Sequence, residues 1–398
     1  MKKRIPSQLM SLLAATLALA ASPAAAAVKL QCPGDKNGDG VSDTQGIVCL
    51  SLSAGDGFVT MADGKPQYMF GFGDVTGVRA NKVMEAGMLG ARFPAPLISV
   101  DEGDHVYLNL TNVGMMMRPD LFDPHTVHWH GFPQASAVFD GVPDSSISIN
   151  MGSTLTYYYQ AIEPGTYMYH CHVEATEHMQ MGMLGNLYVR PAQNKKPNNF
   201  TFPNGFVHKT NYKYAYNDND GSTYYDVEYA IQMTSFDSFF HDQHEAVQPL
   251  PFALMKDDYP MLNGRGYPDT VNPSALPPPA ANGGIRSQLD SSLIRATAGQ
   301  KVLLRLSNLS VTKFFTLSSL GIPMRAVGRD ARLYRGPDGK SLYFETNSIT
   351  LGGGEAMDVI LDTAGINPGT YFLYTTNLNY LSNGTEDFGG MMTEIRIN

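Results

Sequence analysis

EPGTYMYHCHVEATEHMQMGM, residues 163–183, opens on a Pro-Gly turn, continues as a short Tyr-rich run, and then crowds three histidines and a cysteine among methionines. A turn followed by a short run of β-formers reads as a strand. The pattern returns at NPGTYFLYTT from Asn367. A second pair repeats in the same order: ISVDEGDHVYLNLTNVG from Ile98 and IRATAGQKVLLRLSNLS from Ile294 both set a Gly-containing turn before a strand ending in Asn. Two copies of one β-sandwich follow, so the chain is expected to be all-β. The first should span residues 60–192 and the second 205–398, joined by a linker at 193–204 that PAQNKKPNN introduces. NPSALPPPAANGG, from Asn272, reads as a long loop within the second copy. VMEAGMLGARF is the best helical candidate, and glycines interrupt it.

The 398 residues carry a formal charge of -9 with no basic stripe, which argues against a nucleic-acid partner. Residues 1–27 have the layout of a signal peptide: MKKR, an apolar run too short to span a membrane, then small residues up to Ala27. An exported chain, periplasmic or secreted, is expected, with no later membrane span. Residues 28–59 form an N-terminal segment in which Cys32 and Cys49 are expected to pair in the oxidising compartment, leaving Cys171 free. Its DKNGDGVSD stretch spaces Asp35, Asn37, Asp39 and Asp43 like the first part of a calcium loop. Gly46 stands where the closing acid would be, so a solvated turn is an equal alternative.

Two imidazoles and a thiolate with a distant thioether form a type 1 copper site. Cys171, His178 and Met183 occur in that order, and DPHTVHWHGF offers His125. Together HTVHWHGF, DGVPD and GTYMYHCHVEATEHMQMGM resemble the multicopper oxidases and, more distantly, the copper nitrite reductases, which are built from Greek-key cupredoxin sandwiches. The resemblance implies that His125, Cys171, His178 and Met183 hold type 1 copper. It also implies that His128, His130, His170 and His172 face an oxygen-reducing type 2/type 3 copper centre. Alternation along a strand makes this workable, since neighbours point to opposite faces. Cys171 can face one metal while His170 and His172 face another.

Two features depart from the family pattern. His178 lies seven residues after Cys171, so the VEATE loop is longer than in most members. The second sandwich has Tyr374, Thr375 and Thr376 where the first has His170, Cys171 and His172, and KFFTLSS, from Lys313, carries no histidine. The second copy is therefore expected to be largely without copper ligands. His241 and His244 in FFHDQHE read either as ligands to an intersubunit copper or as an exposed polar loop, and His105 as ordinary surface. Met115, Met116, Met117, Met179 and Met181 read as packing residues before Cu(I) ligands.

These features imply a copper oxidoreductase. By family analogy a phenol, a metal ion or a redox protein would deliver electrons near His178, and O₂ would be reduced at the second centre, with a homotrimer as one way to complete it. The alternatives are a nitrite-reducing enzyme, with type 2 copper on His130 and His170 and a ligand from a neighbour, or a type 1 electron carrier.

Overall fold

The computed structural model describes residues 28–398, so the signal-peptide expectation for residues 1–27 lies outside the described residues. Eight strands build the first sandwich: β1 (Ile47–Thr60), β2 (Pro66–Asp74), β3 (Ala95–Asp101), β4 (His105–Gly114), β5 (His128–His130), β6 (Thr154–Gln160), β7 (Gly165–His170) and β8 (Leu184–Arg190). One sheet has the order β2-β1-β4-β6 and the other β3-β8-β7-β5. Between them lies an aromatic core that includes Tyr68, Phe70, Trp129, Tyr157, Tyr159 and Tyr169. Trp129 stacks on Tyr159 with ring centroids 3.8 Å apart, which anchors β5 and thereby the histidines on either side of Trp129.

The expected start of this sandwich at residue 60 is corrected. β1 ends there, pairing parallel to β4 from Ile47↔His105 and antiparallel to β2. Its sequence, IVCLSLSAGDGFVT, is weak in β-formers because small residues are needed where its neighbours approach closely. A Cβ on Gly55 would lie 2.7 Å from Val113 Cγ2. The expected Cys32–Cys49 disulfide is present and ties the N-terminal segment to β1. In that segment the Asp35 carboxylate accepts the N–H groups of Asn37, Gly38 and Gly40.

The second sandwich is preceded by the hairpin of β9 (Lys213–Tyr214) and β10 (Tyr224–Tyr225). It then comprises β11 (Val227–Phe236), β12 (Tyr259–Leu262), β13 (Ile294–Ala296), β14 (Lys301–Asn308), β15 (Phe315–Leu320), β16 (Met324–Arg329), β17 (Arg332–Leu333), β18 (Phe344–Thr346), β19 (Ser348–Leu351), β20 (Glu355–Asp362), β21 (Gly369–Thr375) and β22 (Met392–Ile397). One sheet runs β12-β11-β14-β20-β16-β17 with β18 on β16, and the other β13-β22-β21-β15-β19. The sequence repeat has a topological counterpart. β14 lies parallel to β11 as β4 does to β1, and β21 pairs with β15 as β7 does with β5.

Only Val83–Gly87 of the expected helical stretch is helical. The other α-helices among the described residues are Ala175–Gln180 and Ser238–Glu245, and none there is long and apolar enough to cross a membrane.

The two sandwiches are locked by polar groups removed from water. The fully buried Arg305 on β14 donates to Thr166 Oγ1 on β7 and to Glu228, both at 3.0 Å, and lies 3.6 Å from Asp358. Its guanidinium sits over the Tyr188 ring at 4.7 Å. Arg305→Ala would leave the buried Asp358 carboxylate without its cation and Glu228 with Arg190 alone. The expected loss is about 3–5 kcal/mol of stability, read as a lower denaturant midpoint. An unchanged midpoint would show that this network does not hold the sandwiches together.

Candidate metal centres

β7 ends at His170, and the chain turns immediately into Cys171, His172 and the helix Ala175–Gln180. The longer loop inferred from the late position of His178 is therefore a helical turn. It points His178 inward, where burial of the ring is complete. Glu174 precedes the helix in the left-handed region at φ 43°, an unfavourable conformation for a residue with a side chain.

The fully buried Cys171 Sγ lies 3.3 Å from His178 Nδ1 and 3.8 Å from His125 Nδ1. Neither histidine Nε2 has a hydrogen-bond partner. Met183 is buried beside them: its carbonyl accepts the Cys171 N–H at 3.1 Å, and its own N–H donates to the His178 carbonyl at 2.9 Å. The Thr126 N–H points at the sulfur from 3.5 Å. Two imidazole nitrogens converging on a buried sulfur are the soft donor set a type 1 copper takes. Residues expected to form the first centre are thus brought together.

The second group faces the other way. His128 and His130 flank the buried Trp129, and β5 pairs with β7 so that His128 stands opposite His170. His128, His130 and His170 offer ring nitrogens within 4.8 Å of one another. His172 stands beside them, its ring centroid 5.2 Å from that of His128. His128 Nδ1 lies 2.6 Å from the Asp140 carbonyl oxygen, and His170 Nδ1 2.8 Å from that of Cys171. Each contact holds a proton on Nδ1 and leaves Nε2 to ligate, the usual outer support of a metal-binding imidazole. His130 Nδ1 is 3.2 Å from His170 Nε2.

All four histidines line a cavity of about 490 Å³ whose far wall comes from the second sandwich, through Leu309–Phe314 with Gly353 and Gly354. Gly354, at φ 88°, comes so close that a Cβ there would stand 2.8 Å from His130 Nε2. This wall brings Lys313 but no imidazole.

His241 and His244 do not supply the missing ligands, and FFHDQHE is not an exposed loop. Both histidines are buried in the helix Ser238–Glu245, which packs against the first sandwich on the side of Phe70. His241 lies between the Tyr68 and Gln180 carbonyl oxygens at 2.6 and 2.9 Å. His244 Nε2 meets Glu177 at 2.7 Å. The helix thus braces the outside of the loop between His178 and Met183. This brace was invisible in the sequence, where the two histidines read as ligands or surface. His105 is half-buried, its Nδ1 2.6 Å from the Tyr158 hydroxyl. Met115 and Met181 are core residues, as expected of packing methionines, whereas Met116 and Met117 are exposed.

Burial pushes His178 down to about 4 and His170 to about 3, and holds His125 well below its ordinary range. An unfolded chain protonates histidine near 6.5, so between that value and the folded ones the unfolded state binds more protons. Stability of the metal-free chain should therefore fall as pH falls from about 6.5 towards 4, by several kcal/mol in all. Thermal melts across this range check it, and a His178→Gln variant should show a flatter dependence.

Comparison with known proteins agrees with the geometry. Family models described as multicopper oxidase match residues 76–194 and 232–393, one in each sandwich and together more than half of the chain. Multicopper oxidase MCE of Talaromyces pinophilus is 31% identical over 150 residues, covering 37% of this chain and 23% of that protein. An L-ascorbate oxidase of Cucurbita pepo var. melopepo is 34% identical over 114 residues, covering 27% and 18%. The matched stretches are thus less than a quarter of the length of these relatives. Among solved structures, the blue copper oxidase from Nitrosomonas europaea superposes with a TM-score of 0.61 at 26% identity, covering 87% of this chain and 85% of that one. A copper nitrite reductase from the same organism shares the fold, with a TM-score of 0.57 at 18% identity over 87% and 93% of the two chains. With a family match in each sandwich and the histidine and cysteine motifs gathered into two metal-ready groups, the chain belongs to the multicopper oxidase family and is built of cupredoxin-like sandwiches.

Proposed function

We propose that this chain is an exported copper oxidoreductase that takes electrons singly from a reducing donor beside His178 and passes them to O₂ in the cavity lined by His128, His130, His170 and His172. The observation that carries this reading is the division of three consecutive residues between two sites. Cys171 belongs to the buried group with His125 and His178, while His170 and His172 belong to the other. The His170 contact with the Cys171 carbonyl oxygen joins the groups by a hydrogen bond as well as by the backbone.

Copper held by these donors would supply the one-electron chemistry; the protein's part is placement. His125, Cys171, His178 and Met183 form a dry pocket that admits a soft ion and keeps water from it. The Thr126 N–H near the sulfur stabilises the thiolate and so tunes the site's potential. Asp140 and Cys171, through their carbonyl oxygens, fix the tautomers of His128 and His170. The far wall shields the cavity and puts Lys313 near it. The donor is a phenol, a reduced metal ion or a small redox protein.

Oxygen uptake with a one-electron donor tests the proposal. Four donors oxidised per O₂ consumed, with no peroxide, is the expected ratio for reduction to water. A chain that oxidises no donor under air would contradict it.

One observation favours nitrite reduction as the second reading. Three imidazoles of the first sandwich suffice to hold one ion, and the facing wall adds a cationic side chain but no further imidazole. Nitrite-dependent donor oxidation without air would support that reading over the first.

A further inference from the structure

A crevice of about 210 Å³ opens between the two sandwiches, and none of the copper-site histidines lines it. Its walls come from Pro94 and Leu97 at β3, Asn186 on β8, and Tyr229 and Ala230 on β11. Asn186 is only 5% exposed, and its Oδ1 accepts Ser307 Oγ at 2.7 Å and Gln232 Nε2 at 3.2 Å. These two bonds fix the amide and turn its Nδ2 to the crevice. Among the described residues that Nδ2 makes no hydrogen bond. A buried donor left unpaired costs stability, and an acceptor on a ligand would relieve that cost.

A second donor points into the same space. Gln232 and Ala230 turn their peptide groups away from β14: the Gln232 N–H donates to Asn263 Oδ1 and the Ala230 carbonyl accepts Asn263 Nδ2, both at 2.8 Å. In a strand the N–H of a residue shares the direction of its own carbonyl. β12 pairs with β11 only from Met233 onward, so no strand covers the Ala230 N–H.

At the mouth stands the exposed carboxylate of Asp290. Among the described residues it has neither a hydrogen bond nor an ion pair. The two guanidiniums whose charge reaches it are engaged elsewhere. Arg265 donates to the carbonyl oxygens of Asp269, Asn272 and Gln288, and Arg92 faces Asp74 at 3.8 Å.

We propose that this crevice binds a free α-amino acid with an aliphatic side chain. Its carboxylate meets Asn186 Nδ2 and the Ala230 N–H, its ammonium meets Asp290, and its side chain packs on Pro94, Leu97 and the Tyr229 ring. Two convergent donors select an oxygen anion and the lone carboxylate selects a cation. The volume is below that of a drug-sized site and suits one small zwitterion. Because such a ligand touches both sandwiches of the folded chain and has no such site on the unfolded one, it should also stabilise the fold. No copper chemistry enters, so the binding role stands apart from the oxidoreductase reading.

The test is a calorimetric titration of L-leucine into the copper-loaded full chain, freed of unbound copper. One leucine per chain is expected to bind without altering the blue absorption, and the unfolding midpoint should rise with leucine concentration. Isocaproate, which lacks the ammonium, and isoamylamine, which lacks the carboxylate, should each bind at least about tenfold more weakly. Asp290→Asn changes an exposed side chain without partners, so the variant should fold as the native chain does and lose about tenfold in leucine affinity.

Equal leucine binding by the native chain and Asp290→Asn overturns the proposal. Equal binding of leucine, isocaproate and isoamylamine overturns it too, since the crevice would then be an apolar cleft only. A blue band that changes on adding leucine, with the same affinity in Asp290→Asn, would put the ligand on copper and not here. Absence of both binding heat and a shift in the unfolding midpoint rejects the site outright.

Discussion

Cys171→Ser is expected to abolish the intense thiolate-to-copper absorption of the loaded chain and to cut donor oxidation to background, while copper at His128, His130 and His170 stays in place. The sulfur is the one atom toward which the His125 and His178 Nδ1 nitrogens both turn, and a serine hydroxyl is too hard a donor to replace it. The substitution changes little volume, so the core around it should survive and the metal-free melting temperature should move only slightly. Burial pushes the Cys171 thiol up to about 11, so it carries its proton at neutral pH in the absence of metal. Copper binding must therefore expel that proton. In weak buffer near pH 7, loading the native chain should release about one more proton per chain than loading the variant. A blue band that persists in Cys171→Ser would remove Cys171 from the ligand set.

His170→Ala should have the opposite signature. The blue absorption should remain, because His170 faces away from the sulfur and meets His130 and the Cys171 carbonyl oxygen instead. A donor added without air should bleach the band as fast as in the native chain. On admitting air, however, the band should not return on the native timescale, and steady oxygen uptake should fall to background. Native-like reoxidation in His170→Ala would mean that the four-histidine cavity is not where the oxidant reacts. The pair of variants thus separates electron entry from electron exit, which a single loss of activity could not do.

Much of this was legible in the chain because strand alternation turns spacing into direction. HWH on β5 and HCH at the end of β7 each place alternate residues on one face, and the structure keeps His128 with His130 and His170 with His172. The repeat was legible because both copies keep a Gly turn before the same strand, and the second copy carries Tyr374 and Thr376 where the first carries histidines.

β1 was not legible as the start of the sandwich, since the small residues that let it pack closely also hide its strand character. Nor was the role of His241 and His244. Their helix shows two imidazoles one turn apart, and only its docking on the first sandwich reveals that their partners are backbone carbonyls and Glu177.

The central claim is that one short segment serves two separate copper centres, and copper counting with EPR on the loaded chain tests it most directly. The account predicts at least two coppers per chain, one with the narrow hyperfine splitting of a thiolate-bound ion and another with an ordinary imidazole-type signal, and in Cys171→Ser the loss of the first signal alone. A single copper per chain, with no copper left in Cys171→Ser, would contradict it.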